Sequence, residues 1–252
     1  MINKLNQSIL LEGGTIYDPY NNKKIKGSIL IQNGLITKVG KINPSNKMKR
    51  VDCKGKIIAP GFIDIHAHFR EPGREDKETL ATGARAAFAG GFTRVCVMPN
   101  TDPPLDTPES IRFILEKSID LPVDIFPIGA ITIGQKGMEL TEVGEMVKAG
   151  AVAISDDGLP VQNGQVLRYA LEYAKKYGIP VINHAEDIHL RNDGVMNEST
   201  LSTRLGLPGN PDISESVMVH RDLEIADYCG GRIHVPHVST KRSVDLIREY
   251  KK

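Results

Sequence analysis

The sequence has few cysteines, no long apolar run and almost no net charge. Cys53, Cys96 and Cys229 are odd in number, scattered and free of any CxxC spacing. That argues against a disulfide framework and favours reduced thiols in a reducing compartment. No apolar stretch approaches the ~18 residues of a membrane span. Met1–Ser8 has neither the basic stretch nor the apolar core of a secretory leader. A cytoplasmic location is the expectation. The 32 basic and 31 acidic residues leave a formal charge of +1, so neither nucleic acid nor an anionic membrane is expected as partner. The basic spots at Lys23-Lys24 and Lys47–Arg50 read as solvated turns. A Gly-x-Ser-x-Gly elbow, a P-loop and a Rossmann glycine pattern are all missing, which argues against a serine hydrolase, a nucleotidase or a dehydrogenase.

What is present divides into two textures. Residues 8–56 read as short strands joined by polar turns, with Asn33-Gly34 between two apolar runs as a hairpin signal. Residues 1–56 are expected to form the N-terminal part of a small β-sandwich domain. From residue 57 to 252, strand-like runs alternate with helix-like stretches. The strands are expected at Phe62–His66, Arg94–Met98, Val123–Ile128, Ala151–Ser155, Pro180–Asn183 and Arg232–Val238, each followed by a helix. Such alternation implies a parallel sheet with helical crossovers. An open doubly wound sheet is one solution. The expectation is an α/β fold of the (β/α)8 TIM-type barrel kind, incomplete at about six βα units, because polar donors end strand after strand. Gly90-Gly91, Gly150 and Gly178 fall where left-handed residues end helices, and residues 190–212 read as a long active-site loop.

The donors are His66 and His68, Asp156-Asp157, His184 and His237. Residues i and i+2 of a strand share a face, so His66 and His68 form a natural pair for Zn²⁺. Four imidazoles and a carboxylate exceed what one tetrahedral ion uses, so two metal ions fit better. A carboxylate can bridge two ions about 3.5–4 Å apart, and adjacency leaves Asp156 and Asp157 as alternatives. Arg70 follows the histidine pair and suits a carboxylate-bearing substrate, against a salt bridge to Glu71 or Glu75. Asn100 ends the second barrel strand and could hydrogen-bond a substrate, though lone asparagines are more often turn residues. His189 and His220 read as residues without a role, and alternation along one strand would turn His234 away from His237.

These motifs resemble dihydroorotase of the class I bacterial type, a cyclic amidohydrolase. The resemblance is carried by Asp64–Gly73, by Gly90–Thr93 through Met98–Thr101, by Ser155–Gly158 and by His237–Thr240. Arg70-Glu71-Pro72-Gly73 is the most discriminating piece. Hydantoinases and dihydropyrimidinases differ there and usually bridge their metals with a carboxylated lysine, whereas no lysine lies between Lys148 and Lys175. The resemblance implies a zinc enzyme interconverting N-carbamoyl-L-aspartate and (S)-dihydroorotate in pyrimidine synthesis. It selects Asp157 as bridge: His66, His68 and Asp157 hold one Zn²⁺, and Asp157, His184 and His237 hold the other. His68, Arg70 and Asn100 bind substrate. It also implies a longer chain, with the last two βα units and a general acid/base aspartate beyond Lys252, so no catalytic residue is assigned here and an impaired fragment is expected. A homodimer is expected, with aspartate carbamoyltransferase as a further candidate partner. The rival readings are another cyclic amidase, allantoinase or dihydropyrimidinase, and a non-catalytic dihydroorotase-like subunit.

Overall fold

A computed structural model describes residues 8–45, 48–191 and 193–251. Residues 1–7 and Lys47 of the second basic spot lie outside the described residues. The chain divides into two compact units, Met1–Phe62 and Ile63–Lys252.

In the first unit, β1 (Ser8–Asp18), β2 (Lys23–Gln32), β3 (Leu35–Gly40) and β4 (Met48–Asp52) lie in the order β3-β2-β1-β4, with β5 (Ile57–Ile58) also against β1. Asn33 and Gly34 have φ of 52° and 78°, the left-handed pair that lets a two-residue turn follow strand twist. Ile16, Ile29, Cys53 and Ile58 bury together as the core of this sheet. Because β5 belongs to it, the unit runs past the boundary expected after residue 56.

The second unit is built on β6 (Phe62–Ala67), β7 (Phe92–Val97), β8 (Asp124–Gly129), β9 (Ala153–Ser155) and β10 (Val181–Ile182), followed by two short strands, β11 (Met196–Asn197) and β12 (Gly209–Asn210), and by β13 (Ile233–His234). One six-stranded sheet runs β13-β10-β9-β8-β7-β6, and β11 and β12 pair separately. Pairings from β7 through β13 are parallel. Spatial order therefore repeats chain order, with helices connecting successive parallel strands, and the sheet is an α/β arc with β6 and β13 at its edges.

The helices are α1 (Leu80–Ala89), α2 (Pro108–Lys117), α3 (Val143–Ala149), α4 (Gly164–Tyr177), α5 (Ile188–Arg191), α6 (Thr200–Leu205), α7 (Ile213–Cys229) and α8 (Lys241–Tyr250). Thr79 and Thr107 close capping boxes on α1 and α2, and Pro108 opens α2. Their apolar sides meet the sheet: Leu80, Ala84, Ile111, Ile114, Leu167 and Leu171 bury with Val95, Val97, Ile125, Ile154 and Val181. Met98, Ile128, Ala153 and Ile182 form a separate cluster, and beside them runs a groove of about 1000 Å³ lined also by Cys96 and His234.

Three local expectations are corrected. Gly90 is right-handed (φ −79°) and Gly91 is the left-handed residue (φ 85°). The 190–212 region is not one irregular loop, because Ser199 caps α6 and β11 pairs with β12. Finally, β13 ends at His234, so strand alternation does not relate His234 to His237, whose φ of 57° turns the chain away.

Candidate metal centre

Parallel strands deliver their C-terminal ends to one side of the sheet, and the histidines sit there. His66 lies on β6 and His68 just past it. Asp157 follows β9 by two residues, His184 follows β10 by two, and His237 follows β13 by three. Asp157 stands at the middle. Its Oδ1 lies 3.5 Å from His66 Nε2, 3.6 Å from His184 Nδ1 and 3.5 Å from His237 Nε2. Its Oδ2 lies 3.4 Å from His68 Nε2. Ligand atoms about 2.0–2.1 Å from a tetrahedral Zn²⁺ are themselves about 3.3–3.4 Å apart, so these separations match a shared ion better than direct hydrogen bonds.

Two groups of donors each come within 4.8 Å of one another: His66, His68 and Asp157, and Asp157, His184 and His237. His66 Nδ1 and Nε2, His184 Nδ1 and Asp157 Oδ1 are buried without a hydrogen-bond partner. Buried polar atoms left unpaired are costly, and a cation shared by His66 Nε2, His184 Nδ1 and Asp157 Oδ1 would remove that cost for these three. The donor set thus fits a metal pair. Protonation agrees. Burial lowers the pKa of His66, more than Asp157 raises it, which keeps the ring neutral and able to ligate. Burial works against the charge on Asp157, but His184, His66 and His68 outweigh it and hold the carboxyl down at about 2.

Asp156, the alternative bridge, points elsewhere. It is fully buried and accepts hydrogen bonds from Ile131 N (2.8 Å), Thr132 N (3.1 Å) and the Thr132 hydroxyl. Burial nevertheless pushes its pKa up to about 6. Its bonds fasten the loop after β8 to the loop after β9, beside Asp157.

Asn100 meets His68. Its Oδ1 lies 2.9 Å from His68 Nδ1, so with Nε2 facing Asp157 the ring donates from Nδ1 and its tautomer is fixed. Spacing did not reveal this contact, and among the described residues the NH2 group of Asn100 makes no hydrogen bond. Arg70 sits in a left-handed conformation (φ 57°) and makes no side-chain hydrogen bond or ion pair among the described residues. The salt bridges to Glu71 or Glu75 do not form. Glu71 is buried, accepts from Leu80 N (2.7 Å) and pairs with Lys117, while Glu75 accepts from Gly73 N. Gly73, at φ 88°, packs so tightly on Asp102 that a Cβ would collide with its carbonyl, and Asp102 N donates to Pro72 O at 3.0 Å. The loop carrying Arg70 is thereby docked on the loop carrying Asn100.

A cavity of about 180 Å³ beside His184 and His237 is walled by Glu186, Asn210, Glu215 and Ser239. Glu186 accepts from Asn210 Nδ2 (2.9 Å) and Arg191 Nη1 (3.3 Å). Sequence spacing singled out neither Glu186 nor Glu215. His189 lies on α5 and His220 on α7, outside both donor groups.

A family model described as dihydro-orotase-like matches residues 55–243. Curated dihydroorotases are similar over nearly the whole chain: that of Desulforapulum autotrophicum is 46% identical over 247 residues, covering 96% of this chain and 58% of the relative. That of Pelotomaculum thermopropionicum is 48% identical over 243 residues, covering 96% and 57%. The chain thus spans somewhat under three-fifths of the curated relatives it matches. Among solved structures, the L-hydantoinase (dihydropyrimidinase) of Arthrobacter aurescens superposes with a TM-score of 0.78 at 19% identity, over 96% of this chain and 55% of that one. A D-hydantoinase does so at 0.76 and 21%, over 97% and 55%. These two share the fold, an amidohydrolase barrel of which this chain supplies six strands. With a family match that takes in every donor of the centre, the chain belongs to the dihydroorotase-like family.

Proposed function

We propose that the centre serves a dihydroorotase reaction: hydrolysis of the ring amide of (S)-dihydroorotate to N-carbamoyl-L-aspartate, and its reversal, in cytoplasmic pyrimidine synthesis. The observation that carries this reading is the convergence of four imidazoles on one carboxylate, with Arg70 two residues past His68 and making no side-chain hydrogen bond or ion pair among the described residues. His66, His68 and Asp157 would hold one Zn²⁺, and Asp157, His184 and His237 the other. Divalent cations held there supply Lewis-acid polarisation of a carbonyl and acidify water.

The chain's own groups account for the rest. Asn100 holds the His68 ring with Nε2 toward the ion. Arg70, which makes no side-chain hydrogen bond or ion pair among the described residues and is carried by the docked loop, would offer a fork to the substrate carboxylate, and the Asn100 NH2 group would offer a further donor. An allantoinase or dihydropyrimidinase reading gives Arg70 less to do, because those substrates lack that carboxylate. Association with a second copy, or with aspartate carbamoyltransferase, belongs to the same proposal and is read by gel filtration with each component.

Turnover of dihydroorotate, allantoin and dihydrouracil, measured side by side on this chain and on a form as long as its relatives, tests the assignment. Dihydroorotate should be the preferred substrate of the longer form, with His66→Ala reducing its rate at least about 10³-fold, as loss of a group that generates the nucleophile does. Preference for either other ring, or full activity after complete chelation, would reject the assignment.

A further inference from the structure

Helix α7 reaches the centre at two places without contributing a ligand. In its first turn, Glu215 Oε2 accepts from Ser239 N (3.0 Å) and Oγ (2.6 Å), and Oε1 accepts from Thr240 N and Oγ1 (both 3.1 Å). These residues follow His237, whose left-handed backbone carries a strain of about 1–3 kcal/mol that its surroundings must hold in place. About two turns further along α7, fully buried Asp222 accepts from Asn183 Nδ2 (2.6 Å) and from Arg221 Nε (2.9 Å) and Nη2 (2.6 Å). Arg221 donates onward to Gln162 O (2.7 Å) and Val161 O (2.8 Å). Val161 N returns a bond to Asn183 Oδ1 at 3.2 Å, and Gln162 Nε2 donates to Glu186 O at 3.0 Å.

The network joins the loop after Asp157 to the residues on both sides of His184. Every loop that brings a donor to the Asp157–His184–His237 group is therefore tied to α7 or to its partners. No hydrogen bond or ion pair links α7 to His66, His68 or Asn100 among the described residues.

We propose that Glu215, Arg221 and Asp222 are positioning residues for one metal position only, the one formed by Asp157, His184 and His237. The other position has its own supports, Asn100 at His68 and the Asp156 clasp beside Asp157. The inference rests on the two-ion reading above. Groups behind the ligands typically contribute 10–100-fold to metal affinity, so the asymmetry is measurable.

Titration of the metal-free chain with Co²⁺, followed by calorimetry and visible absorption, tests it. The unmodified chain should bind two ions in separable steps, and H237A should identify the step belonging to the second position by abolishing it. Glu215→Gln and Asp222→Asn should weaken that same step at least about tenfold while the other step stays within about twofold. Glu215 is partly exposed, so E215Q decides the matter should D222N not fold. Equal weakening of both steps, as general destabilisation produces, overturns the proposal. So does no change, or a change confined to the step that survives H237A. An unmodified chain that binds fewer than two ions overturns the two-ion reading, and this inference with it.

Discussion

Asn100 touches His68 through its side-chain oxygen, at 2.9 Å from Nδ1. With Asn100→Ala the His68 ring loses its Nδ1 acceptor and its fixed tautomer. Metal affinity should fall about 10–100-fold, as read by competition with a chelator; unchanged affinity would show that the contact has no bearing on the ion. Gly73→Ala is a backbone experiment. Both its positive φ and the nearby Asp102 carbonyl oppose a methyl group, so unfolding free energy should drop by about 2–4 kcal/mol in urea. The donors themselves were legible, because histidine and aspartate at successive strand ends are hard to explain otherwise. Their surroundings were not. An isolated glutamate such as Glu215 looks like any first-turn acid until the fold brings residues 239–240 against it. The rivalry between Asp156 and Asp157 could not be resolved from adjacent letters, since only the direction of each side chain separates them. The backbone of His237 was equally hidden, because histidine carries no sequence mark of a left-handed conformation.

Among the elements, the long helices were the most readable. Thr107 followed by Pro108 marks the start of α2 in the sequence as it does in the structure. The short pieces between 188 and 210 escaped because each is about a turn or a single bridge, held by tertiary contacts such as Asn210 with Glu186 rather than by local pattern. Helix α7 contributes a pH dependence. Burial opposes the charge of Glu215, but hydrogen bonds from Ser239, Ser243 and Thr240 win and lower its pKa below the ordinary 4.5. A carboxylate lowered on folding stabilises the protein above its unfolded pKa, and that contribution is lost as pH falls through the folded value. The metal-free chain should therefore melt higher than E215Q at neutral pH, and the gap should close in acid below pH 4.5. A gap independent of pH would mean that the Glu215 charge does not contribute.

At the scale of the whole chain, β6 and β13 leave the six-stranded sheet with two edges. Phe62, Ile63 and Ile65 of β6 are 59%, 55% and 52% exposed, and an apolar strand at an edge invites pairing between copies. The 252-residue chain should bind a hydrophobic dye and scatter light increasingly with concentration, and Ile65→Lys should reduce both without lowering the melting temperature. A monodisperse, dye-silent chain would contradict this. The arc itself was legible from six alternating units, whereas its edges follow from which neighbours each strand finds.

Because every strand of the arc pairs with the arc strand made before it, the two candidate metal pockets have a birth order. The pocket of His66, His68 and Asp157 has all its donors once β9 and the turn after it have left the ribosome. The pocket of His184 and His237 must wait for β13, roughly eighty residues later. A growing chain could thus capture its first cation well before the second position exists, giving early strands an anchor while the remaining ones are still being made.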